Sequence, residues 1–308
     1  KLLVNKEFLD LAEQLKSSVS CTVRLNELMS GHTSFKIGGP ADILVLPESI
    51  EQLREVLKVV KETVVPLTLL GNGSNVLVRD KGIRGIVIKL GNMLRHFYEA
   101  EDLLVFGSGY SLALASYKAM ECGKTGMEFA VGIPGSIGGA VYMNAGAYDG
   151  EMQNIVNCVK VMDLQGNERV LTAEELNFGY RKTSLQNSGL IVTEVTLKMP
   201  SGNKDEIKSK MDDFSHRRIS KQPLEMPSAG SMFKRPPGYF AGTLIDQAGL
   251  KGYTVGGAQI STKHAGFVVN VGGATAADVL QLIKDVQTKI KAGVGVELQP
   301  EVLVIGEE

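Results

Sequence analysis

Residues 132–147 read GIPGSIGGAVYMNAGA, a run in which glycines and a proline recur too densely for a good helix or a good strand. Glycine inside regular structure costs about 0.5–1 kcal/mol relative to alanine, so such a run needs a reason. Without a Cβ, main-chain N–H groups can come close to a ligand and reach φ > 0, which suits the diphosphate of a nucleotide cofactor. A second run, GNGSN at 71–75, follows the apolar segment VVPLTLL and repeats the design. Neither is a Walker A motif, since no GKS or GKT follows, and neither is a GxGxxG opening a Rossmann helix. A P-loop kinase and a standard dinucleotide fold are thereby disfavoured. GSGYS at 107–111 imitates part of a fingerprint, but a turn that caps a helix at Ser111 explains it.

The 308 residues allow two or three domains, and 44% hydrophobic with 22% charged residues is ordinary for a globular chain with a sizeable core. A net charge of −1 gives no global field favouring nucleic acid or an anionic membrane, so small-molecule partners are expected. No apolar run reaches the ~18 residues of a spanning helix, and the N-terminus lacks a signal-peptide core; a cytoplasmic protein, with a monomer as its state, is the expectation. Cys21, Cys122 and Cys158 are odd in number and widely spaced, which argues against a disulfide framework or a metal site and for buried thiols.

The chain reads as α+β. Residues 1–30 hold an amphipathic helix with Phe8, Leu11, Ala12 and Leu15 on one face, taken as an N-terminal appendage. Residues 31–90 form a small αβ domain, with a strand through Ile43–Val45, a helix opened by Ser49 and Gln52, and strands at 64–70 and 76–78. Residues 91–200 form a second α+β domain, with strands near Leu103–Phe106, Ile155–Asp163 and Ile191–Met199 and a helix from Ser111 to Cys122. Residues 201–308 form a third, opening with a helix through Ile207, Met211 and Phe214. It closes with a helix from Thr275 that buries Val279, Ile283, Val286 and Ile290 and stops at Gly293; its last strand, Val302–Ile305, is free to return to the first domain.

Cations gather late: Arg217, Arg218 and Lys221, then Lys234 and Arg235. A solvated helix end explains such clusters by itself. Between them, however, KQPLEMPSAGSMFKRPP sets Ser228, Gly230 and Ser231 in a proline-rich loop flanked by cations. This is no GxSxG elbow, and the neighbouring sequence offers only His216 as a base. A serine without a base can still donate a proton to a strongly basic carbanion beside a carboxylate, if the developing charge is held by preorganised groups. Arg181 in FGYRKTS and Glu301 in LQPEVLVIG are separated charges able to help.

These residues resemble the UDP-N-acetylenolpyruvoylglucosamine reductase (MurB) family. The resemblance runs through GNGSNVLV, GMEFAVGIPGSIGGAVYMNAGAY, the YR at 180–181, RRISKQPLEMPSAGSMFKRPPGYFAGTLI, GGAQISTKHAGFVVN and PEVLVIG, in order. It is closest to the shorter second class, because the long tyrosine-bearing substrate loop of the other class is absent. The resemblance implies two small αβ domains forming a vanillyl-alcohol-oxidase-like (PCMH-type) FAD-binding fold, with a C-terminal α+β substrate-binding domain. It implies non-covalent FAD lying along Gly71, Asn72, Gly73, Ser74 and Asn75 and along Gly132, Ile133, Pro134, Gly135, Ser136, Gly138 and Gly139, with Arg218 in support. It further implies that NADPH reduces the flavin and that UDP-N-acetylglucosamine enolpyruvate then takes the same site and is reduced to UDP-N-acetylmuramate for peptidoglycan.

By the same resemblance Ser231 is the proton donor, Arg181 and Glu301 stabilise the enolate-like intermediate, and Tyr142, Lys221, Lys234 and Arg235 meet the UDP-sugar; no metal is implied. Ala229 stands where relatives often carry cysteine, and Gln299 replaces a frequent glutamate, with Glu297 nearby as an alternative to Glu301. Two other readings share these residues. A flavin oxidase would pass electrons to oxygen and could tether its flavin through His32; a nucleotide-sugar binding protein would be colourless.

Overall fold

The computed structural model describes residues 6–91 and 93–308, and divides the chain into two units. The first comprises Lys1–Leu25, Ile43–Asn72 and Ile86–Arg218; the second comprises Asn26–Asp42, Gly73–Gly85 and Ile219–Glu308. Each has its own apolar core, which is what permits the division. Among the described residues no helix is long and apolar enough to cross a membrane.

A sheet is ordered Thr22–Leu28, Pro40–Leu46, Ile83–Lys89, Leu67–Leu70, and on the parts of it that belong to the first unit, residues 22–25, 43–46, 86–89 and 67–70, helices α1 (Lys6–Ser18) and α2 (Ile50–Lys61) lay apolar faces. Leu11, Ala12 and Leu15 of α1 share one core with Leu53, Val56 and Leu57 of α2 and with Ile43, Val45, Ile86 and Ile88. Thus α1 is a structural member of this unit, whereas the sequence reading takes it for an appendage. Ser49 caps α2, its Oγ accepting from the Gln52 N–H at 3.2 Å, while Gln52 Oε1 accepts from the Glu48 N–H at 2.8 Å. The reciprocal capping read from the sequence is present, one residue displaced on the backbone side.

The larger core of this unit lies on a five-stranded antiparallel sheet in the order Glu168–Thr172, Val156–Met162, Ile191–Lys198, Leu103–Gly107, Phe97–Ala100. On it pack α3 (Leu112–Glu121) and a short α4 (Ile137–Tyr142). The glycine-rich run is therefore less irregular than its composition suggests. Ile137, Ala140 and Val141 are fully or nearly buried, and that burial outweighs the helix cost of Gly138 and Gly139. Helix α5 (Lys204–Lys221), assigned from sequence to the last domain, buries Ile207, Met211 and Phe214 against Val131, so through Arg218 it belongs to the first unit.

The second unit is built on an antiparallel sheet ordered Ser228–Ser231, Phe267–Asn270, Ala258–Ile260, Thr254–Val255, covered by α6 (Ala241–Gln247) and α7 (Ala276–Val294). Val279, Leu282, Ile283, Val286 and Ile290 repeat at helical spacing and bury one face of α7. Leu303–Ile305 pairs in parallel with Val76–Val78, returning to the early part of the chain as the sequence reading allowed. Helix α7 ends at Gly295 in the left-handed conformation (φ 72°), not at Gly293, which lies inside the helix. The three cysteines are free and half-buried, whereas buried thiols are expected from sequence; burial is the main cause that raises Cys21 and Cys122 above the ordinary thiol value.

The start of α7 is doubly secured. Thr275 and Asp278 form a capping box, and Asp80, from the loop after Val76–Val78, accepts from the Ala276 and Ala277 N–H groups at 2.7 and 2.9 Å. Asp80→Ala leaves both donors without this acceptor and should destabilise the second unit by about 0.5–2 kcal/mol, read as a lowered urea midpoint by circular dichroism. An unchanged midpoint would mean that water substitutes for the carboxylate at no cost.

Candidate active site

The first unit brings its two glycine segments together. A Cβ on Gly71 would meet only Ser136 Oγ at 3.8 Å, and one on Gly139 would meet the same atom at 3.4 Å, both ordinary contacts. Neither glycine has a positive φ. Nothing in the protein's own packing therefore requires glycine at 71 or 139, although Gly139 sits inside α4 and costs helix stability. A ligand lying against them would supply such a reason. Ser136 caps α4 by accepting from the Gly139 N–H at 3.2 Å.

Other glycines of the runs have structural reasons. Gly135 has φ +116°, and a Cβ on Gly138 would stand 2.8 Å from the Ser108 Cβ. Gly132 has φ +74°, and its Cβ would approach Arg218 Cδ at 3.0 Å. Arg218 thus lies directly on the long glycine loop. Burial pushes its guanidinium below the ordinary arginine value, while Tyr148 acts in the opposite sense. Arg217 is exposed, pairs with Asp213 at 2.7 Å and faces the Phe214 ring. The geometry selects Arg218 over Arg217 as the cation at the loop. A half-buried cation on the glycine loop, against Gly132, is a fit for an anionic cofactor group. Ile133 and Pro134 lie in the same loop, and the Asn72 side chain lies against Gly91.

Arg181 occupies a tight turn closed by paired main-chain bonds between Gly179 and Lys182 at 2.9 and 3.1 Å. It has φ 53°, in the left-handed region, a conformation costing about 1–3 kcal/mol that the surroundings must hold. Its guanidinium donates to the Asn144 carbonyl at 3.3 Å and the Gly146 carbonyl at 3.1 Å. The residue that organises this is Asn144, fully buried, which donates to the Gly179 carbonyl at 2.9 Å and to Glu151 at 3.1 Å and accepts from the Gln153 N–H at 3.0 Å. Sequence reasoning missed it; the available signal is an asparagine amid the apolar and glycine residues of the run. Tyr142 ends α4 half-buried, its carbonyl accepting from Thr183 Oγ1 at 2.8 Å.

The second unit brings Ser231 and Glu301 onto neighbouring segments. The Glu301 N–H donates to the Met232 carbonyl at 2.8 Å, and the Lys234 N–H donates to the Gln299 carbonyl at 2.8 Å. From the loop Gly73, Ser74, Asn75, the Asn75 amide donates to the Glu301 carbonyl at 3.4 Å, and the Leu303 N–H donates to the Asn75 carbonyl at 3.0 Å. Ser231 is exposed and Glu301 half-buried. Glu297, the alternative carboxylate, is exposed and engaged with Lys291. Gly73 has a structural reason to be glycine, because a Cβ there would stand 2.4 Å from the His32 carbonyl oxygen.

Of the late cations, Arg235 sits 4.0 Å over the Phe240 ring, Lys234 is half-buried and Lys221 is exposed. A histidine absent from the sequence argument stands on the next strand turn. The Gly266 carbonyl accepts from the Met232 N–H at 2.8 Å, and His264 Nδ1 accepts from the Gly266 N–H at 3.0 Å. Burial lowers the His264 imidazole below its ordinary value, with Lys251 and Lys221 acting the same way. Only strand pairing links the turn that carries His264 to the strand of Ser231, so spacing along the chain gives no sign of it.

Two family models match the chain, an FAD binding domain over residues 41–172 and a UDP-N-acetylenolpyruvoylglucosamine reductase C-terminal domain over residues 222–305. The UDP-N-acetylenolpyruvoylglucosamine reductase of Clostridium perfringens (strain SM101 / Type A) is 50% identical over 302 residues, 98% of each chain. That of Clostridioides difficile (strain 630) is 49% identical over 93% of this chain and 94% of its own. The crystal structure of the enzyme from Thermus caldophilus superposes with a TM-score of 0.78 at 39% identity, covering 92% of this chain and 99% of the other.

Position 71 is the clean probe of the glycine cradle, since a side chain at Gly135 would strain the backbone whether or not a ligand is present. Gly71→Ala should leave the melting temperature of the apoprotein unchanged and weaken FAD binding by about tenfold or more, equivalent to about 1.4 kcal/mol, in a fluorescence titration. Unaltered affinity would remove Gly71 from the cradle.

Proposed function

The chain belongs to the UDP-N-acetylenolpyruvoylglucosamine reductase (MurB) family, and from that premise we propose that it reduces the enolpyruvyl group of UDP-N-acetylglucosamine enolpyruvate with NADPH, giving UDP-N-acetylmuramate for peptidoglycan synthesis. FAD, bound without a covalent tether, supplies the two-electron relay that carries hydride from NADPH to the terminal carbon of the enol ether. Gly71, Gly139 and Arg218 of the first unit would hold its anionic part. The reading extends the contact to Asn72, Gly73, Ser74, Asn75, Gly132, Ile133, Pro134, Gly135, Ser136 and Gly138. NADPH and the enolpyruvyl sugar take turns at one place.

The observation that carries the mechanism is the main-chain bond that holds Glu301 beside the strand bearing Ser231. As hydride reaches the terminal carbon, the double-bond pair moves to the carbon next to the carboxylate. Ser231 gives its hydroxyl proton to that carbon and regains one from solvent. The acceptor is basic enough that the serine needs no partner base. Arg181 and Glu301 are the side chains proposed to stabilise the enolate-like charge, and the strained turn that presents Arg181 fits a role requiring fixed placement. Tyr142, Lys221, Lys234 and Arg235 are the side chains proposed for the UDP-sugar.

An anaerobic visible spectrum near 450 nm tests the reaction: bleaching by NADPH and recolouring by the enolpyruvyl sugar support it, and bleaching reversed only by oxygen would indicate an oxidase. Ser231→Ala should keep FAD and its reduction by NADPH while turnover of the enolpyruvyl sugar falls by about 10²–10⁴, the range of a lost general acid. Near-parental turnover would take Ser231 out of the donor role.

A further inference from the structure

Ser231 stands on an interrupted strand. Ser228 pairs with Val269, but Ser231 pairs with Phe267, so three steps on one strand face two on its neighbour, and Gly230 takes up the extra residue with φ +80°. Strict alternation would put Ser231 on the face of Ala229, which is buried. With the bulge, Ala229, Met232 and Phe233 are buried while Ser231 between them is turned outward. The availability of this hydroxyl therefore depends on a local irregularity that must be held in place.

Ser34 holds it. Its Oγ donates to the Ser228 carbonyl at 2.7 Å, where the bulge begins, and its main-chain N–H donates to the Gly73 carbonyl at 3.0 Å in the GNGSN loop. The same Oγ lies 3.4 Å from the Gly73 oxygen, but one hydroxyl proton serves the shorter contact. The residues around Ser34 are fixed as well. Thr33 is buried with Oγ1 donating to the Ile37 carbonyl at 3.1 Å, and Phe35 is fully buried with its carbonyl accepting from Asn270 at 3.3 Å. Ser34 thus works from a rigid base and ties the bulge of the Ser231 strand to the GNGSN loop.

We infer that Ser34 is a positioning residue for the proton-transfer half of the reaction, locking the bulge that aims Ser231. This rests on the reading of Ser231 as proton donor. Because the bond to Gly73 comes from the main chain, Ser34→Ala removes only the tie to Ser228.

Ser34→Ala should keep its FAD affinity and its rate of bleaching by NADPH, and should be reoxidised by the enolpyruvyl sugar about tenfold or more slowly, with kcat rather than KM affected, as expected for a displaced reacting group. Ser34→Thr, which restores the hydroxyl, should recover the rate; Ser34→Cys, a weaker donor of similar volume, carries the same test if the alanine variant does not fold. In the Ser231→Ala background, Ser34→Ala should cost nothing further. Reoxidation at the parental rate, equal slowing of both half-reactions, loss of FAD, or no recovery with threonine would each overturn the inference. Normal turnover by Ser231→Ala alone would instead overturn the donor reading, which keeps the two failures apart.

Discussion

Main-chain bonds fasten residues 299–305 on two sides within the second unit. Gln299 and Glu301 are tied to Lys234 and Met232 on one side, while Leu303 is tied to Asn75 and Leu303–Ile305 runs parallel with Val76–Val78 on the other. One short stretch thereby sets the relation between the Ser231 strand, the Gly73–Asn75 loop and the residue proposed to act with Ser231. Each bond is individually modest, about 0.5–1.5 kcal/mol net, but together they leave the stretch no alternative register. Asp80, on the loop leaving Val76–Val78, carries the same constraint to the start of α7.

The glycines separate into two kinds. At 73, 135 and 138 the fold itself needs them, through a close carbonyl, a left-handed φ or a crowded neighbour; at 71 and 139 it does not. Composition alone makes all of them look alike. A ligand-directed reading is secure only where the surrounding protein would tolerate a side chain, and those two positions meet at Ser136 Oγ, with Arg218 on the same loop at Gly132.

Much of the architecture was legible where patterns are local. The faces of α1, α2 and α7, the caps at Ser49, Ser111 and Thr275 and the strand at 76–78 follow from periodicity and capping chemistry within a few residues. What was not legible depends on distant partners. Helix α5 joins the first unit because Val131 and not a C-terminal residue covers its apolar face, and α4 forms within a glycine-rich run because its apolar positions are buried on the sheet. The candidate site divides in the same way. The motifs pointed to Ser231, Arg181 and Glu301, but Asn144 and His264 are brought in by turns and pairings that no spacing encodes, and Ser34 lies far upstream of the strand it restrains.

The parallel pair Val76–Val78 and Leu303–Ile305 joins an early strand to nearly the last residues of the described chain. During synthesis the chain emerges from its N-terminus, and a contact of such sequence separation forms only after the intervening loop has been closed. Helices and hairpins of the first unit have their partners well before that moment. The segment that carries Glu301 follows all of these pairing partners in the chain. A ribosome-bound chain would therefore present the partners of the first unit before the strand Leu303–Ile305 that pairs within the second has emerged.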